Sequence, residues 1–581
     1  MTHHPLIRST PRSSRRAGAL LAALALAACA GAAGLAPARA HAATAANTLV
    51  VNANQPFRPV THVATGSLYG LATATTPADN LVEPIRPNTF VQMPTGGHQQ
   101  GSGDILAVAP EAARAGAKVV DRLSDYYAGW PYQFSWNTWS TVVQQQIQKV
   151  QASGITNLAS YALWNEPDNT WLSSNGTFES FWTTTYRQVR SLAPNTPIQG
   201  PSFSDNISDM QNFLQNAVAT NTVPDIIAWH ELENSSKIAG DVATVTTLEK
   251  NLGISPRPIA IEEYAAPSEV GVPGTLAGYV AKFERLGVHD AELAFWNQSG
   301  ALGDLLTGQG GSPNGAYWLY TWYGAMSGNM VTTVPPSSSG LDGAASLSAD
   351  GKQVSVIFGG GSGSGAVTVN GLNTSVLGTT VQATLQYTPS PGRTTAVSGP
   401  VTISQGTYTV SNGSITVPVS MTASNGYHLV ITPGSGGPTT LAGTYQIKNV
   451  HSGLALDTAN SGTAQGTLAV QATPSSSATQ SWTVIDAGSG LYKIQDGASG
   501  LMLGITNEST SAGGTALVWG DNGTPDHLWQ FVSAGNGQYK ISNYHSGLVL
   551  GVTNESTSSG AQVLQWNDNG TPDHLWALSA R

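Results

Sequence analysis

The 581 residues predict three units in tandem: a (β/α)8 barrel over 48–327, an antiparallel β-sandwich over 328–434 and a β-trefoil over 441–581. Three observations carry this. Short apolar runs alternate with helical patterns through the first stretch, the rhythm of βα units around a parallel sheet. Period-two runs separated by Gly, Ser, Asn and Pro fill the second. Three copies of a 47-residue repeat fill the third.

Ahead of these units stands a leader. Arg8, Arg12, Arg15 and Arg16 precede the apolar run AGALLAALALAACAGAAGLA, and Ala40-His41-Ala42 has the small-x-small form of a signal-peptidase site. Residues 1–42 are therefore expected to be a signal peptide and the product to be secreted. Two other readings stay open: Arg15-Arg16 as a twin-arginine export signal, and LAAC ending at Cys29 as a lipoprotein box that would tether the chain to a membrane.

The barrel strands are read at HVATGSLYG, KVVDRL, LASYALW, TPIQG, DIIAWH, PIAIEEY and AELAFWN, with an eighth placed near WPYQFSW. Thr177 to Leu192 puts Phe178, Phe181, Trp182, Val189 and Leu192 near one helical face. A stretch of this length suits a closed barrel of about 250 residues. No glycine-rich dinucleotide fingerprint follows the first strand, which weakens an open doubly wound sheet.

The sandwich is read from KQVSVIF, SITVPV and YHLVIT, and residues 435–440 lie in a Gly/Pro/Thr linker. In the repeat, Tyr445, Tyr492 and Tyr539 recur in step with Leu454, Leu501 and Leu548 and with Trp482, Trp529 and Trp576. Each copy is too short to bury a core alone, so three must share one centre.

Composition narrows the function. Only 10% of residues are charged, and the net charge of −10 leaves no basic stripe for phosphates, which argues against nucleic acid or anionic membrane as partner. Cys29 is the only cysteine, so the mature chain can have no disulfide, cysteine-ligated zinc or cysteine nucleophile. Neither HExxH nor GxSxG occurs. No metal or cofactor is expected, and the oligomeric state is left open.

The chemistry rests on two carboxylates. Strand ends of a parallel barrel open into its active site, so Glu166, after the apolar run SYALW, is aimed where substrate binds. Glycoside hydrolysis needs a second carboxylate on the opposite face of the sugar. PIAIEEY offers it three strands onward, and if Ile259 and Ile261 fill the barrel interior, Glu263 and not Glu262 faces substrate.

LWNEP and IEEY resemble the acid/base and nucleophile motifs of clan A retaining glycoside hydrolases, and DIIAWH resembles the sixth strand of family 39 and its relatives. The resemblance implies Glu166 as acid/base, Glu263 as nucleophile, Asn165 bonded to the sugar 2-hydroxyl, and His230 orienting the site. It further implies Arg122 keeping the nucleophile ionised and Trp296, in the last strand, as a platform under the sugar. Glu166 is expected to hold its proton near neutrality. Relatives often carry Tyr two residues after the sixth-strand His, where this chain has Leu232, so the nucleophile's partner is open and a barrel that has lost activity stays an alternative.

YQIKNVHSGLALD and QSW resemble ricin-type lectin domains, the family 13 carbohydrate-binding modules. There an early Asp, an aromatic platform and later polar residues hold the sugar. The first repeat has Asp457 and Gln480 but Ala472 at the platform; the others have Gly504 and Gly551 for the Asp but Trp519 and Trp566 as platforms. Two sites are expected, around Trp519, Asp521, Asn522 and Asp526, and around Trp566, Asp568, Asn569 and Asp573. The whole reads as a secreted glycoside hydrolase on a polysaccharide, with a sugar-binding protein or lectin-like adhesin as alternatives.

Overall fold

A computed structural model describes residues 47–434, 441–488, 490–535 and 537–581. The expected signal peptide, Cys29 and the linker over 435–440 lie outside the described residues.

Eight strands close a parallel barrel: β2 (Gly66–Leu68), β3 (Thr89–Gln92), β4 (Lys118–Arg122), β5 (Leu158–Ala162), β6 (Ile198–Phe203), β7 (Ile226–Glu231), β8 (Ile259–Tyr264) and β9 (Asp290–Leu293). Closure pairs Gly66 with Glu292 and Ser67 with Leu293. A β-carbon on Gly66 would lie 2.7 Å from the Ala291 carbonyl, so the seam needs glycine. The strand expected near WPYQFSW is corrected: Thr89–Gln92 takes that place, and the Trp130–Trp136 stretch is the connection from β4 into the helix Trp136–Ser153. Thr177 caps the helix Phe178–Leu192, its hydroxyl oxygen accepting from Ser180 N–H.

The interior of the barrel is not filled as expected. Ile227, Trp229 and Ile261 pack with the helices outside the sheet, while Ile226, Ala228 and Ala260 form a small separate cluster. Ala260 and Glu262 therefore share the inner face, and strict alternation would turn Glu263 outward. A β-bulge reverses this. Trp229 pairs with Ile261 but His230 pairs with Glu263, so β8 carries one extra residue and both Glu262 and Glu263 reach the mouth. The premise that isoleucines fill the interior is corrected, and Glu262 stands at the mouth beside Glu263.

The second unit begins earlier than the sequence suggests. β1 (Thr48–Pro59), expected with the barrel, pairs antiparallel with β10 (Asn329–Val334) and parallel with β13 (Gly363–Asn370). The barrel span thus starts after Pro59, and the sandwich is not purely antiparallel. Its other strands are β11 (Asp342–Leu347), β12 (Val354–Gly359), β14 (Thr380–Thr388), β15 (Val401–Thr409), β16 (Ile415–Met421) and β17 (Gly426–Pro433). Leu49, Val51, Val356, Phe358, Val367, Leu429 and Ile431 fill its core. Asp342 binds this unit to the barrel, accepting from Arg285 Nη1 at 2.8 Å and Lys282 Nζ at 3.1 Å.

Twelve short strands make the third unit. Trp482, Trp529 and Trp576 are fully buried, and each Nε1 donates at 2.9 Å to the carbonyl of Leu456, Leu503 or Leu550. The first strand of this unit, Gly443–Asn449, pairs with the last, Trp576–Ala580, which ties repeat one to repeat three.

Candidate active site

Glu166 stands between the end of β5 and a single turn, Pro167–Thr170. Proline fits the first helical position because its missing N–H would go unused there. Glu166 itself is left-handed, with φ of 46°, a conformation costing a residue with a β-carbon about 1–2 kcal/mol. The surroundings impose it. Glu166 N–H donates to the Ser202 carbonyl at 2.8 Å, and the Thr170 hydroxyl lies within donating distance of the Asn165 and Glu166 carbonyls while accepting from Trp164 Nε1 at 2.9 Å.

His230, on β7, is fully buried with three carboxylates around its ring. Nδ1 lies 3.0 Å from Glu166 Oε1, and Nε2 lies 3.8 Å from both Glu262 Oε2 and Glu263 Oε1. One oxygen each of Glu166 and Glu263 and one His230 nitrogen fall within 4.8 Å of one another. Arg122, at the end of β4, donates from Nη1 to Glu263 Oε1 at 2.8 Å, and its Nη2 is 3.6 Å from Glu262 Oε2. The second-strand position expected for Arg122 becomes the third strand once β3 is counted.

The charges fix the protons. Burial opposes a charge on His230, but Glu263, Glu166 and Glu262 overcome it and push the imidazole up to about 10. Burial alone would raise the Glu166 carboxyl; the hydrogen bond and charge of His230, helped by Asn169 and Arg122, outweigh it and hold the group below its ordinary value. The expectation that Glu166 holds its proton near neutrality runs against this direction, since the pairing lowers the Glu166 carboxyl and raises the His230 imidazole.

Asn165 is buried and its Oδ1 has no partner, which leaves an acceptor free at the mouth. Trp296 is not in the last strand; it lies in the connection after β9, 44% exposed, with Nε1 donating to the Ala265 carbonyl at 3.2 Å. Among the described residues, Glu166, His230 and Glu263 are the one group whose ligand atoms converge as a metal site would require. A cation there would meet the Arg122 guanidinium and a protonated imidazole, so the charge set suits a neutral substrate better.

Several residues of the site carried no sequence signal. Glu262 accepts from Gln199, which in turn accepts from Ser160, a polar chain beneath the carboxylates. Asp125 accepts from Tyr69 and, at 2.6 Å, from Tyr132, and its charge faces Arg122. Asn169 donates to Glu166 Oε2 at 3.0 Å. Only Asn169, three residues after Glu166 in a turn-forming stretch, was within reach of local reasoning.

In the trefoil, Trp519 and Trp566 are exposed. Asp521 and Asp568 accept from Lys493 and Lys540, while Asn522 and Asn569 accept through Oδ1 from the N–H of Thr524 and Thr571 at 3.1 Å. Asp526 and Asp573, expected among the sugar-binding residues, are buried and accept from Ile505 and Val552 N–H. The glycines explain the missing early Asp. A β-carbon on Gly504 would lie 2.3 Å from His527 Cδ2, because His527 and Asp526 fill the space that Asp457 occupies in repeat one, where Gln480 donates to it at 2.9 Å.

Residues 430–519 and 525–581 match the family described as ricin-type β-trefoil lectin domain-like. A 3-O-α-D-galactosyl-α-L-arabinofuranosidase of Bifidobacterium longum subsp. longum is 26% identical over 448 residues, 64% of this chain and 39% of that protein. A 3-O-β-L-arabinopyranosyl-α-L-arabinofuranosidase of Bifidobacterium pseudocatenulatum is 28% identical over 362 residues, 51% and 37%. The chain thus spans about two fifths of the length of these curated relatives. The solved structure of N2152 from Neocallimastix frontalis is 37% identical, with a TM-score of 0.64, covering 67% of this chain and all of that one.

Proposed function

We propose, for a chain that belongs to the same family as N2152 of Neocallimastix frontalis, that it is an exported retaining glycoside hydrolase acting on α-L-arabinofuranosyl linkages of a plant wall polysaccharide. The observation that carries the reading is the meeting of Glu166 and Glu263, from the fourth and seventh barrel strands, with oxygens within 4.8 Å. Retaining enzymes hold their carboxyls about 5–5.5 Å apart; inverting ones need roughly 6.5–9.5 Å to admit water.

Glu263, paired with Arg122, attacks the anomeric carbon while a proton passes through Glu166 to the leaving oxygen. Glu166 then takes a proton from water, which displaces Glu263. The Glu166–His230 pair holds one proton between two partners 3.0 Å apart, so Glu166 can donate while its resting form is the carboxylate. Asn165 accepts from the sugar 2-hydroxyl and Trp296 lies under the ring. Membership in family 39 and the choice of sugar both rest on likeness: the motifs for the first, the two arabinofuranosidases for the second. The latter support an arabinofuranosyl unit with a sugar on its 3-hydroxyl. The trefoil keeps the enzyme on its polymer through Trp519 and Trp566.

The test is hydrolysis of substituted α-L-arabinofuranosides followed by NMR of the first-formed anomer. Retention in the wild type, with Glu263→Gln slowed by about 10³-fold or more, supports the reading. An inverted product, or full activity in Glu263→Gln, overturns it.

A further inference from the structure

The βα connections at the mouth of the barrel carry an aromatic ridge to one side of the carboxylates. Trp130 is 57% exposed, and Trp136, opening the next helix, is 41% exposed. Half-buried Trp171 follows from the turn after Glu166, its ring centroid 6.3 Å from that of Trp136. Leaving indole rings in water costs hydrophobic free energy, and here Trp130 and Trp136 are exposed and Trp171 is half-buried, all in the two consecutive connections that follow the third and fourth barrel strands.

The ridge is held still. Gln99 Nε2 donates to the carbonyls of Tyr127 at 2.8 Å and Gly129 at 3.1 Å, on either side of the bend that presents Trp130. Trp136 Nε1 donates to the Asn175 carbonyl at 2.9 Å and Trp171 Nε1 to the Gly176 carbonyl at 2.8 Å, which fixes how the indoles are turned. Trp130 meets Tyr132 at a centroid distance of 5.9 Å, and Tyr132 meets Trp164 at 5.1 Å, two residues before Glu166. The ridge and the acid therefore share one rigid support.

These connections follow the third and fourth strands, the fourth leading into Glu166, whereas Glu263 stands on the seventh strand and Trp296 in the connection after the eighth. The acid must stand against the leaving oxygen, so the sugar that departs lies on its side. From this we infer that Trp130, continued by Trp136 and Trp171, is a binding site for the leaving portion of the substrate, the main chain of a neutral polysaccharide whose sugar faces stack on the indoles. This rests on the proposed hydrolysis. It assigns recognition of the polymer to the barrel itself, independently of the trefoil.

The test compares substrates with and without a sugar on the leaving side. Trp130→Ala is expected to lower kcat/KM on an arabinofuranosylated oligosaccharide about five- to tenfold and leave a nitrophenyl glycoside within about twofold. Trp130→Phe should restore most of the loss. Equal effects on both substrates, or none on the oligosaccharide, overturn the inference. Should the wild type cleave neither substrate, hydrolysis fails by itself. Calorimetry of the same oligosaccharide on full-length Trp519→Ala/Trp566→Ala then decides the ridge. Adding Trp130→Ala weakens binding if it is right, and unchanged affinity rejects it.

Discussion

His230 Nδ1 stands 3.0 Å from Glu166 Oε1, with two further carboxylates 3.8 Å from the opposite ring nitrogen. One buried imidazole thus faces both Glu166 and Glu263.

If the proposed hydrolysis holds, the Glu166–His230 pair should set its alkaline limit. His230 is raised to about 10, so its protonated form, and the stability it lends, is complete below about 6.5 and is lost as pH rises through 10. His230→Asn leaves Glu166 to hold the proton by itself. The alkaline limb of kcat/KM on a substrate with a sugar leaving group should then move down by more than one pH unit. An unmoved limb would show that His230 does not hold the proton.

Asp121 predicts a pH-dependent stability. Burial first, then the charges of Asp125 and Asp104, pushes its carboxyl up to about 8, and neither oxygen has a partner. The folded chain keeps this proton while the unfolded chain releases it near 4, so stability falls as pH rises from about 4 to 8 and is level above. Asp121→Asn should stabilise the protein at pH 8 relative to pH 4 by on the order of 2–4 kcal/mol. Thermal melts of both proteins at both pH values check it; an equal difference at the two rejects it.

Gly504→Ala and Gly551→Ala should each destabilise the trefoil by about 1–3 kcal/mol. Their β-carbons would lie 2.3 and 2.4 Å from the rings of His527 and His574. Gly523→Ala, where open space surrounds the position but φ is 78°, tests strain without a clash. A melt in which Gly504→Ala matches the wild type contradicts the steric account.

Retention on an insoluble polysaccharide should fall by more than the sum of the parts when both Trp519→Ala and Trp566→Ala are present, since two weak sites on one body multiply through effective concentration. Pull-down with the single and double variants measures it. Full retention in the double variant places attachment elsewhere.

What was legible in the sequence followed the range of the forces involved. The spacing of Trp482, Trp529 and Trp576 showed the shared centre because repetition is visible without coordinates. Glu166 was legible from its place after an apolar strand. The placement of Glu263 is not legible from strand alternation: the isoleucines face the helices, and one bulge, which leaves no mark in residue types, brings the carboxylate to the mouth. Thr89–Gln92 was missed because four residues are too few to show a period. The direction in which the Glu166 carboxyl is shifted was not legible because it depends on His230, distant in sequence.

β1 precedes the barrel, yet its neighbours in the sheet, β10 and β13, follow it. During synthesis this strand emerges with nothing to pair to until the whole barrel has left the ribosome, an aggregation-prone edge for that interval. The middle unit is consequently a clasp whose two halves shut only after the barrel between them is complete. Trimming the chain at residue 328 would strip the clasp of its mate and expose that edge for good, so the barrel should resist isolation by simple shortening.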